Sequence, residues 1–126
     1  GNIMANENEM KTSEVEDIRV ENDLGRQKMS FRVGIDGSDY IVGLPTAVWN
    51  YGAIVSALVR YKYSESDVEA IMSNSLLLMQ SPSSVSEDEV TEKQTEFVEF
   101  QEYREKCKAR AKELLAIGKK MGLTEM

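Results

Sequence analysis

The 126 residues contain no histidine, one cysteine and two prolines. Each shortage excludes something. Without histidine there is no Ser-His or Cys-His nucleophile and no His-ligated zinc. A single cysteine excludes an internal disulfide and a Cys-only zinc site, and it suits a reducing compartment, so a cytoplasmic location is expected. Aromatic residues make up 7%, too few to supply a stacking platform along a nucleic acid. No nucleotide-, metal- or nucleophile-fingerprint motif appears. No catalytic residue, cofactor or metal is therefore expected.

What the chain has in excess is acid. Twenty-two Asp and Glu against 15 Lys and Arg give a net charge of −7 and a pI near 4.7. That balance argues against nucleic acid as the partner. The apolar share, 41%, suffices for one modest core. Residues 1–14 have almost no apolar spacing and read as a mobile tail, with neither the basic start nor the apolar stretch of a signal peptide. Residues 15–122 read as a single domain.

Within that domain, Val15–Glu21 alternates as a short strand, and Asn22-Asp23-Leu24-Gly25 is turn chemistry. Lys28–Ile35, Asp36-Gly37 and Ser38–Leu44 then read as a β-hairpin with a type I′ turn. A two-residue loop sets the register: Ile35 opposite Ser38, Val33 opposite Tyr40, Phe31 opposite Val42, Met29 opposite Leu44. Seven of these eight are apolar and share one face, so turn and alternation agree.

Pro45 reads as the start of a helix over Thr46–Arg60, with Val48, Tyr51, Val55 and Leu58 inward and small residues outward. No charge occurs from Tyr40 through Val59. The helical part is nevertheless too short to cross a membrane. Ser66 with Glu69 is a capping box opening a helix to about residue 80, and Ser86 with Glu89 opens another that nothing interrupts until Gly118 and Gly122. The fold class expected is α+β: a small antiparallel meander followed by three helices, the last one long. At 1.5 Å per residue the last helix is about 47 Å long. A compact domain of this size is about 36 Å across. The helix must overhang its core, break near Thr91–Thr95, or pack on another chain.

That helix also divides its charge. Residues 87–103 hold seven acids and one lysine, and residues 104–120 hold seven bases and two acids. The plain reading is alignment with the helix dipole. The sharper reading is antiparallel self-association, with Glu92, Glu96 and Glu99 of one copy facing Arg104, Lys108 and Lys112 of another and an apolar stripe through Phe97 and Phe100 between them. Asp36-Gly37-Ser38-Asp39 has acidic spacing but lacks the later ligands of a calcium loop. Cys107 falls on the apolar stripe and reads as a small hydrophobe. The function expected is a non-enzymatic interaction or assembly protein working as a homo-oligomer, a dimer, with no membrane contact. The alternative is a small acidic accessory binder, of the kind phages and mobile elements encode, that modulates a basic or nucleic-acid-handling protein.

Overall fold

A computed structural model describes residues 16–23, 26–45, 48–80 and 86–125. The expected tail, Leu24-Gly25, the Thr46-Ala47 start of the expected helix, and Ser81-Pro82-Ser83-Ser84 lie outside the described residues.

The fold is α+β. Three antiparallel strands, β1 (Ile18–Asp23), β2 (Arg26–Arg32) and β3 (Ile41–Pro45), form a sheet in the order β1-β2-β3. Three helices follow: α1 (Tyr51–Lys62), α2 (Glu65–Gln80) and α3 (Glu87–Lys120). The hairpin register is the one the Asp-Gly turn requires, with Met29 opposite Leu44 and Phe31 opposite Val42. Asp36 and Gly37 both take positive φ (52° and 80°), and Ser38 N–H donates to the Ile35 carbonyl.

Below the turn the regular ladder gives way to a bulge at Gly34 (φ 61°), whose N–H donates to Ser38 O. The bulge ends β2 at Arg32 and delays β3 to Ile41, shortening both strands from the expected span. It also leaves Tyr40 61% exposed at the rim, its ring against Tyr61, where the alternation had placed it in the core.

The inner face of the sheet carries Ile18, Met29, Phe31 and Val33. They join Ile54 and Leu58 of α1 and Cys107, Ala111 and Leu114 of α3 in one core. Trp49 lies there too, edge-on to Phe31 at 6.0 Å between centroids.

Other boundaries also differ from the sequence expectation. Asn22 and Asp23, expected in a turn, extend β1 and pair with Gln27 and Arg26, so β2 opens at Arg26 and not at Lys28. Pro45 closes β3, opposite Lys28, and does not open a helix. The helix starts at Tyr51, where the Asn50 side chain caps Ala53 N–H at 2.9 Å. The cap of α2 is Ser64, whose hydroxyl takes Asp67 N–H while the Asp67 carboxylate takes Ser64 N–H, both at 3.0 Å. Ser64-x-x-Asp67 and Ser66-x-x-Glu69 fit the same pattern, and the upstream pair wins. Gly118 does not stop α3. It lies inside the helix, and a Cβ there would stand 3.3 Å from the Trp49 ring. The stop is Gly122 (φ 87°), with Leu123 N–H bonded to Gly118 O and Gly122 N–H to Lys119 O.

Helix α3 is continuous through Thr91–Thr95. Its 34 residues span about 51 Å. From Phe100 onward it packs on the core, while its first turns extend beyond the core beside α2, with Phe97 partly buried.

Candidate functional site

The split charge of α3 meets a geometric obstacle. At 3.6 residues per turn, Glu92, Glu96 and Glu99 lie about 150° around the helix from Arg104, Lys108 and Lys112. In an antiparallel pair related by a two-fold axis, like flanks meet. Opposite flanks therefore keep these two rows apart. The structure also places the residues in different surroundings. Glu92, Glu96 and Glu99 are exposed, and no ion pair reaches them among the described residues. Arg104 and Lys112 are exposed, while Lys108 is half-buried and donates to Glu105 at 3.0 Å. Phe97 is half-buried against the core. Phe100 is buried, edge-on to Tyr63 at 5.2 Å, and is spent inside its own chain.

One base of that half does something the sequence reading missed. Arg110 is buried. Its Nε donates to the carbonyls of Val33 (3.0 Å) and Arg32 (3.3 Å), Nη2 to Asp17 Oδ1 (2.7 Å) and Arg32 O (3.0 Å), and Nη1 to Glu113 (3.1 Å). Arg32 reaches the same Asp17 oxygen at 2.8 Å. Burial alone would raise the Asp17 pKa, but the hydrogen bonds and charges of Arg110 and Arg32 outweigh it and hold the carboxyl below its usual value. The arginine thus takes the Arg32 carbonyl, on the β1 side of the strand, together with the Val33 carbonyl, on the hairpin side. A signal was present: Tyr103, Cys107, Arg110, Ala111 and Leu114 fall on one helical stripe.

The remaining polar clusters are structural as well. Asp36 takes Lys106 at 2.9 Å, and Asp39 takes Arg32 at 3.4 Å. Among the described residues no group of His, Cys, Asp and Glu is placed to hold a metal ion. Tyr103 donates to the Leu58 carbonyl at 2.8 Å, and burial raises its pKa. Burial also pushes the Cys107 thiol up to about 11, far from a reactive thiolate.

Two surfaces stay open. On α2, Val68, Ile71, Met72, Leu76 and Met79 recur at helical spacing, yet only Ile71 and part of Val68 are buried. Leu76 is 52% and Met79 78% exposed, with Met72, Leu77 and Val98 of α3 also uncovered. Leu78, Met79, Phe97 and Val98 border a groove of about 480 Å³ between the two helices. The second surface is the outer edge of β3, with a groove of about 700 Å³ between Tyr40–Leu44 and the Ala57, Arg60 and Tyr61 side of α1. Among the described residues no helix is long and apolar enough to cross a membrane.

No protein-family model, curated protein or solved structure matches the chain.

Proposed function

We propose that this chain is a non-enzymatic interaction and assembly protein that works as a homo-oligomer in the cytoplasm. The observation that supports it is the uncovered apolar surface of Met72, Leu76, Leu77, Met79 and Val98 on the overhanging end of α2 and α3. Several large apolar side chains left exposed on two neighbouring helices suit a contact surface, and methionine adapts to varied partners. The test is sedimentation of the wild type at about 100 μM, where even a weak dimer is populated. Association is expected. A monomer there overturns self-assembly.

The second reading is a small acidic accessory protein that modulates a basic or nucleic-acid-handling partner. The exposed row Glu92, Glu96 and Glu99, free of ion pairs among the described residues, favours it. A monomer that captures a basic protein, with capture lost in Glu92→Lys/Glu96→Lys/Glu99→Lys, is the result this reading expects.

A further inference from the structure

We infer that two copies of this chain join through their β3 strands, edge to edge, into one continuous six-stranded sheet. The inference rests on the self-assembly reading and adds an interface at β3, separate from the apolar face of α2 and α3.

Backbone alternation shows what the edge offers. Arg32 N–H donates to Asp17 O toward β1, and Val33 N–H donates to Tyr40 O toward β3. Residues 29, 31 and 33 of the central segment therefore bond toward β3, and their partners Leu44, Val42 and Tyr40 face back. Ile41 and Gly43 lie between these partners. Their N–H and C=O groups point away from the sheet, along the groove beside α1.

The two sheet edges differ in protection. β1 bears the exposed charges Arg19 and Glu21, a common guard against edge pairing. β3 has none: the sequence from Tyr40 to Val59 is uncharged. Among the described residues, Arg60 lines the groove and is within 3.8 Å of Glu65, and the Lys28 side chain lies against Gly43.

The β3 strand carries no acid, and that suits a second copy as the occupant. Two chains of net charge −7 repel wherever their acids meet, and this edge lets them approach without such a meeting. The edge is also self-complementary. With Val42 on a two-fold axis, Ile41 of each copy faces Gly43 of the other, and both exchange N–H and C=O groups that have no partner among the described residues. Centring on Gly43 instead sets Ile41 against Pro45, which has no N–H to give. In the Val42 register Tyr40 of one copy lies beside Leu44 of the other. The aromatic ring left exposed by the Gly34 bulge then gains an aliphatic cross-strand neighbour.

The test combines sedimentation with amide exchange by NMR. Wild type is expected to be dimeric at about 100 μM. Ile41→Lys places a charge on a side chain that is 48% exposed, so the fold should persist while the dimer weakens tenfold or more. The Gly43 amide should exchange at least tenfold faster in that variant than in the wild type. A dimer that survives Ile41→Lys with an unprotected Gly43 amide, or one that only Leu76→Glu/Met79→Glu dissociates, overturns the β3 interface and leaves self-assembly standing. A monomeric wild type overturns both. Should Ile41→Lys fail to fold, wild-type exchange at about 10 and 300 μM decides, since the Ile41 and Gly43 amides must gain protection as dimer forms.

Discussion

Arg110 and Asp17 stand 93 positions apart in the chain and meet at 2.7 Å. The contact joins the residue just before the first strand to the second half of the last helix. The same guanidinium serves the Arg32 and Val33 carbonyls, so one side chain ties α3 to β1 and to the bulge of β2.

Removing that side chain uncovers several partners together. Arg110→Ala should cost about 3 kcal/mol, since it strips donors from two carbonyls and leaves Asp17 with Arg32 alone. Arg110→Lys should recover little, because a single ammonium cannot match a planar fork that reaches four acceptor groups. Urea unfolding of the three proteins measures both, and a Lys variant as stable as wild type would refute the fork argument.

The Asp17 contact also fixes a pH dependence. Its folded pKa lies below the ordinary 3.8, so the stabilisation is complete above that value and is lost as pH falls through the depressed folded pKa. Asp17→Asn should be less stable than wild type at pH 7, and the difference should narrow below about pH 4. A difference independent of pH between 2 and 7 would mean that the charge of Asp17 adds nothing.

The two left-handed glycines of the hairpin should respond unequally. Gly37→Ala meets nothing within 4 Å and should cost about 1 kcal/mol, from backbone strain alone. Gly34→Ala adds a Cβ 2.7 Å from the Arg110 guanidinium, so it should cost about 3 kcal/mol and weaken the Arg110 contacts as well. Thermal melts rank the pair, and equal losses would refute the close approach.

Cys107 should be inert. Buried and with its pKa raised to about 11, it should react with a thiol reagent at pH 8 far more slowly in the native protein than in urea. Equal rates would show that the core around it opens readily.

The hairpin was the most legible part of the sequence, because Asp36-Gly37 and the alternation around it demand the same register. The α+β class and the unbroken α3 were legible for similar reasons: capping residues, apolar spacing and the lack of breakers in 87–117. Local rules failed where tertiary geometry chose between equal candidates. Ser64 and Ser66 both open a capping box. Pro45 suits a strand end as well as a helix start. Gly118 has the composition of a stop but serves the approach of Trp49. The candidate surfaces were less legible still. The α2 stripe has core spacing, yet too little of the fold reaches it to bury Leu76 and Met79. Arg110 reads as one more base in a basic run until the fold brings Asp17 and the Arg32 and Val33 carbonyls to it.

Synthesis runs from the N-terminus at roughly 5–20 residues per second, and α3 is made after every element it covers. Until it leaves the ribosome, the nascent sheet lacks Cys107, Ala111 and Leu114 over its apolar face, and Asp17 waits without Arg110. The closing helix therefore sets when this domain can first become native. A stall on the ribosome before Arg110 emerges should leave a nascent chain that proteases cleave readily, and release of the next few turns of α3 should end that vulnerability in a single step.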